Sequence, residues 1–88
     1  MRLTEYPAYH NGSFCQIQDL KVSILDLGFI HSDATYDVIA IKDREFVNLD
    51  AHLKRFAKSC YGWRIPLKYS KEDLEAILRT LYVKRSEE

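Results

Sequence analysis

Arginine is the residue type best suited to grip a phosphate, because its planar fork donates two charge-assisted hydrogen bonds at once. Arg55 stands where such a group would be useful. His52, Arg55 and Ser59 recur at spacings of three and four, so on a helix they share one stripe. That stripe flanks the apolar positions Leu49, Leu53, Phe56, Ala57 and Cys60, and a flank at the edge of a core is where a side chain can reach into a cleft. An ordinary solvated flank has the same composition, so Arg55 is a candidate anion donor on spacing alone. A histidine beside a cleft can act as acid, base or anion donor, which makes His31 a second candidate. Tyr36 reads as strand packing, and Asp33 as a turn or cap residue before that strand. No Gly-rich phosphate loop occurs, so neither the P-loop nor the dinucleotide fingerprint applies. No Ser–His–Asp or Cys–His arrangement follows from spacing. His10, His31 and His52 are dispersed and no CxxC is present, so no metal centre is expected.

Composition removes other classes. The chain has 88 residues, with 13 basic and 13 acidic side chains and no formal net charge. Nucleic acids and anionic membrane surfaces call for an excess of Lys and Arg, so neither is expected as a partner. Hydrophobic residues make up 47% and charged residues 30%, a globular rather than a disordered profile. No apolar run nears the ~20 residues needed to span a bilayer. The start, Met1 to Pro7, lacks an apolar core and carries Glu5, so it does not read as a secretory signal. Cys15 and Cys60 are expected to be reduced and buried, in a cytoplasmic protein. Residues 1–88 are expected to form a single small domain. A domain of this size buries only about 60% of its unfolded surface, which suits one that leans on another domain or a partner subunit.

The elements that must position these residues can be placed from local signals. Ala8 to Ile17 reads as two short runs around Asn11-Gly12, the strongest two-residue hairpin signal. Lys21 to Leu25 is a short apolar run, and Gly28 makes Asp26 to Ser32 a turn or irregular loop. Thr35 to Ile41 is β-branched and aromatic, hence a strand. Its stretch Val38 to Ile41 is apolar throughout, which predicts cover on both faces. Lys42-Asp43-Arg44 turns into a second strand at Glu45 to Val47. Two helices follow. The first has Asn48 as N-cap, Asp50 in its first turn and Gly62 as its stop. Trp63 to Tyr69 is a loop with Pro66. The second helix has a capping-box-like Ser70 and Asp73, an apolar stripe of Leu74, Ile77, Leu78, Leu81 and Tyr82, and an i,i+4 pair, Glu75 and Arg79. Lys84 to Glu88 reads as a frayed end. Strands first and helices last predict an α+β two-layer sandwich, with both helices on one face of a mostly antiparallel sheet.

The string adds a resemblance. Val22-Ser23-Ile24-Leu25-Asp26-Leu27-Gly28-Phe29, then His31-Ser32-Asp33-Ala34-Thr35-Tyr36-Asp37-Val38, then Phe46 to Cys60 with His52-Leu53-Lys54-Arg55, resemble the start of the class IV (fold-type IV) aminotransferases. Together with the Asn11-Gly12 hairpin, the likeness runs from about Tyr9 to Val83. It implies the N-terminal small domain of a pyridoxal-phosphate transaminase, which moves an amino group between an amino acid or amine and a keto acid. Arg55 matches the family's cofactor-phosphate arginine and His52 a structural companion. Tyr36 matches an aromatic wall of the substrate pocket. His31 falls where pocket residues vary, and Asp37, in the place of the usual Glu, is expected to line the same substrate pocket. Ser32 and Ala34 replace two glycines of the family pattern, a variant similar to the D-amino-acid and (R)-amine transaminases. The resemblance further implies a homodimer, and places the Schiff-base lysine in a larger C-terminal domain outside these residues, so no catalytic residue is assigned here. Two other functions stay open with it: a non-catalytic binding or interaction domain on the same fold, and an aminodeoxychorismate-lyase-like enzyme.

Overall fold

A computed structural model describes residues 5–32 and 34–86. Expectations for Asp33, for residues 1–4 and for residues 87–88 lie outside the described residues. The chain runs β1 (Pro7–His10), β2 (Ser13–Gln16), a 3-10 turn (Ile17–Asp19), a single helical turn α1 (Leu27–Ile30), β3 (Ile41–Lys42), β4 (Glu45–Phe46), α2 (Leu49–Gly62) and α3 (Lys71–Ser86). The expected α+β class holds, with both long helices last. The strands form two separate antiparallel hairpins, β1-β2 and β3-β4, rather than one sheet.

Local chemistry explains the turns. Asn11 and Gly12 both take positive φ, 48° and 87°, as a tight two-residue hairpin turn demands. The ladder pairs Ala8 with Cys15 and Tyr9 with Phe14. Asp43 and Arg44 repeat the trick at φ 53° and 66°, closing β3 onto β4. The segment expected as a loop from Asp26 holds α1, because the Asp26 carboxylate accepts from the Gly28 N–H at 2.8 Å.

Four expectations are corrected. Thr35 to Ala40 does not join a ladder; only Ile41 and Lys42 do. β propensity favours an extended chain, but a strand also needs a neighbour with free backbone groups, and β4 pairs only the end of this segment. Its outer face is bare, with Val38 73% exposed, so the apolar run is covered on one side only. Asn48 stands before α2 but adopts a left-handed conformation (φ 53°, ψ 40°) and makes no side-chain cap. The expected frayed end is helical through Ser86, its last turn pinned by Arg85 over the Tyr6 ring at 4.6 Å and Lys84 over Phe14 at 5.4 Å.

The helix ends are otherwise well formed. α2 stops at Gly62 as expected, but the left-handed residue is Arg64 (φ 57°). The Ile65 N–H bonds the Cys60 carbonyl at 2.8 Å and the Arg64 N–H bonds the Tyr61 carbonyl at 3.0 Å, a Schellman closure with arginine in the seat glycine usually holds. α3 opens with the expected box: the Asp73 N–H donates to Ser70 Oγ at 3.0 Å and the Ser70 N–H to Asp73 Oδ2 at 3.1 Å. Glu75 and Arg79 pair at 3.4 Å as expected.

Packing centres on α2 and α3. Leu49, Leu53 and Cys60 are buried. The α3 stripe Leu74, Ile77, Leu78, Leu81 and Tyr82 is half-buried. Asp50 joins the helices, accepting from Lys71 of α3 and from Lys54 at 3.0 Å. Both hairpins lean on α3, β4 through Phe46 edge-on to Tyr82 at 6.1 Å and the opening hairpin through Tyr6, just before β1, and Phe14 of β2. The thiols of Cys15 and Cys60 are free; Cys60 is buried as expected, whereas Cys15 is half-buried on β2. The radius of gyration is 14.0 Å, against about 12 Å for a close-packed chain of this length. Among the described residues no helix is long and apolar enough to cross a membrane, and no group of His, Cys, Asp and Glu could hold a metal ion.

Candidate functional site

The helical stripe and the unpaired extended segment meet. From Ala34 to Ala40 exposure alternates residue by residue, the period-two signature of extended backbone. Asp37 and Ile39 turn inward toward α2 and α3, Thr35 is half-buried, and Tyr36, Val38 and Ala40 turn outward. Asp37 and Ile39 therefore line an apolar pocket of about 180 Å³ with His52, Leu53, Phe56 and Leu74. They also line a larger groove of about 550 Å³ beside Tyr6, Phe46 and Tyr82.

Asp37 is the hub of a polar cluster at that edge. Its Oδ2 accepts from Arg55 Nε at 3.0 Å and its Oδ1 from Arg55 Nη2 at 2.8 Å, a two-bond fork. His52 Nδ1 lies 2.7 Å from Oδ1. A carboxylate can only accept, which assigns the proton to Nδ1 and leaves Nε2 as the acceptor nitrogen of the neutral ring. Nη2 of Arg55 approaches the same Nδ1 at 3.0 Å; with Nδ1 donating to Asp37, both donors converge on one oxygen. The Asp37 side chain is 8% exposed and that of Arg55 65%. The hydrogen bonds from Arg55, then that from His52, hold the Asp37 carboxyl well below the usual carboxylate range against the opposing effect of desolvation. The same pairing raises the Arg55 guanidinium above its ordinary value.

Of the residues singled out in the sequence, Arg55 and Asp37 are brought together, with His52 as third member. Tyr36 projects from the opposite face of the segment, 85% exposed. His31 lies after α1, exposed, and its side chain makes no hydrogen bond among the described residues. Ser59, at the far end of the stripe, takes no part in the cluster. Spacing on α2 found Arg55 and His52 but not their shared acceptor, which lies 18 positions upstream of Arg55; the uniformly apolar run from Val38 to Ile41 gives no sign of which side chains turn inward.

The cluster presents a guanidinium fixed along one edge. Arg55 has five N–H donors. Nε and Nη2 engage Asp37, and Nη1 has no hydrogen-bond partner among the described residues. A phosphate oxygen pair can be met by that outward side without disturbing the inner one.

Known proteins resemble this chain over most of its length. The family model described as amino-transferase class IV matches residues 34–88, the stretch that contains the cluster. The D-alanine aminotransferase of Staphylococcus epidermidis is 32% identical over 71 residues, covering 81% of this chain and 25% of that protein. The enzyme of that name from Staphylococcus haemolyticus is 31% identical over the same span. A putative branched-chain-amino-acid aminotransferase of Methanocaldococcus jannaschii is 32% identical over 76 residues, 85% of this chain and 26% of that protein. The chain spans about a quarter of the length of these relatives.

Proposed function

This chain belongs to the class IV aminotransferase family, and from that premise we propose that it is the small N-terminal domain of a pyridoxal-phosphate transaminase, with Arg55 as a donor to the cofactor phosphate. The observation that carries the proposal is the Arg55 guanidinium, gripped along its inner edge by Asp37 and open on its outer side. These donors fit a phosphate by charge, number and planarity. When bound, pyridoxal phosphate supplies the electron sink for amino-group transfer. The part of this chain is to hold and orient the phosphate through Arg55 and to offer Tyr36, and His31 where the substrate side group varies, as walls of the substrate pocket.

The substrate class is an amino acid and its keto acid, with D-amino acids favoured. The Ser32 to Asp37 variant and the D-alanine aminotransferases among the relatives support that choice. The partner is the remainder of a longer polypeptide, paired as a homodimer. Accessible surface supports a covering partner: 7362 Å², against roughly 5,400 Å² for a compact monomer of 10.4 kDa. Val22, Ile24, Leu25, Tyr36 and Val38 are the exposed apolar residues that such cover would bury. A cytoplasmic location goes with this proposal.

The test is Arg55→Ala in the full-length protein. Loss of a hydrogen bond to a charged group weakens pyridoxal-phosphate binding about ten- to a hundredfold, read by cofactor absorbance under equilibrium dialysis. Unchanged affinity removes Arg55 from the site.

A further inference from the structure

We propose that Asp37 is a positioning residue for the phosphate group: its carboxylate clamps the Nε–Nη2 edge of Arg55 so that the opposite side of the fork stands aimed outward before any ligand arrives. The proposal rests on Arg55 being the phosphate donor.

Three observations carry it. The carboxylate is the fixed partner, since its side chain is 8% exposed while that of Arg55 is 65% exposed. Both oxygens are occupied: Oδ2 takes Nε, and Oδ1 takes Nη2 and His52 Nδ1. Asp37 also sits on the inward side of the extended segment, back to back with the outward Tyr36. With three donors already on it and its side chain 8% exposed, the carboxylate is engaged by Arg55 and His52 rather than held out to a substrate. Its effect on a ligand must pass through Arg55. An unclamped arginine on a solvated flank samples many rotamers, and a ligand that orders it loses affinity in doing so. Asp37 orders the side chain beforehand. His52 keeps the clamp in place by donating to the oxygen that Nη2 shares.

The negative charge of Asp37 opposes an incoming phosphate, so orientation and charge pull in opposite directions. The Asp37 charge is already offset by the guanidinium it pairs with, and the outer side of Arg55, 65% exposed, lies where solvent screens what remains, so orientation dominates.

The experiment compares pyridoxal phosphate with pyridoxal, which lacks the phosphate, as ligands of the full-length protein. The ratio of their dissociation constants isolates the contribution of the phosphate. Asp37→Asn puts an amide donor against the guanidinium or the imidazole, and the ratio is expected to fall about five- to twentyfold. Asp37→Glu keeps the acceptor pair and is expected to hold the ratio within about threefold. If Asp37→Asn does not fold, Arg55→Lys carries the test: one ammonium cannot serve carboxylate and phosphate as a fork does, and the ratio falls by a similar factor. A high wild-type ratio left unchanged by Asp37→Asn, or an equal loss for both ligands, overturns the positioning role alone. So does an unchanged ratio in Arg55→Lys. A wild-type ratio near one overturns the assignment of Arg55 and the positioning role together.

Discussion

Asp37 and Arg55, 18 positions apart, are joined by two hydrogen bonds of 3.0 and 2.8 Å that tie an extended stretch of chain outside both hairpins to the first long helix. The segment from Ala34 to Ala40 belongs to neither hairpin ladder; this fork, the inward Ile39 and, at its end, the Val47 N–H donating to the Ala40 carbonyl at 2.9 Å hold it down. The consequences reach both stability and ligand binding.

The first consequence concerns acid. The folded Asp37 carboxyl titrates below its unfolded value of about 3.9. At neutral pH it is ionised in both states, and the fork contributes fully. As pH falls through about 4, the unfolded chain takes up a proton that the folded chain does not, so stability declines from there downward. Wild type should therefore lose stability between about pH 5 and pH 2 more steeply than Asp37→Asn, as measured by urea unfolding across that range. Parallel profiles would show that the fork does not persist in solution.

Tyr36 faces the other way, and its removal should be felt differently. At 85% exposure it contributes little to packing, so Tyr36→Ala is expected to shift stability by less than about 0.5 kcal/mol. In the full-length protein the variant should change the ratio of kcat/KM between two amino donors of different side-group size. Affinity for pyridoxal phosphate should stay within about twofold. The reverse pattern would place Tyr36 on the cofactor rather than the substrate.

The helix ends offer a matched pair of substitutions. Ser70→Ala removes the Oγ acceptor of the Asp73 N–H and should cost about 1 kcal/mol. Arg64→Gly relieves a left-handed φ of 57° and should stabilise by up to about 1 kcal/mol, the gain being limited by the added freedom of glycine in the unfolded chain. Thermal denaturation should move by several degrees, downward for the first and upward for the second.

The two thiols should separate cleanly under a thiol reagent. Burial pushes the Cys60 thiol up from its ordinary pKa and leaves it 3% exposed on α2, so it offers little thiolate and less access. Cys15, half-buried on β2, should be labelled first, and Cys60 at the rate of unfolding. Mass spectrometry of timed samples reads the order.

What could be read from the chain was what short stretches decide for themselves. Asn11-Gly12 permits one tight turn, Ser70 and Asp73 satisfy each other's backbone, and the stripe from Leu49 to Cys60 is set by the helical repeat. The extended segment misled because β-branched composition speaks to backbone shape, whereas pairing depends on which edges lie nearby. Asn48 misled for a related reason: a good capping type has to be delivered by the preceding turn, and the β4-to-α2 connection delivers it left-handed. At the site, Arg55 and its flank were visible from spacing on one helix. The enclosure of Asp37 was not, since it needs two distant stretches to fold against each other.

Arg85, in the last turn of α3, lies over the ring of Tyr6, 79 positions away. The opening hairpin can close as soon as it is made, because its turn and ladder are local. Its seat on α3 exists only once residue 85 has left the ribosome. In the order of synthesis, β1 therefore completes its docking on α3 only after the other described elements have been made, and until then its apolar side stays available to chaperones.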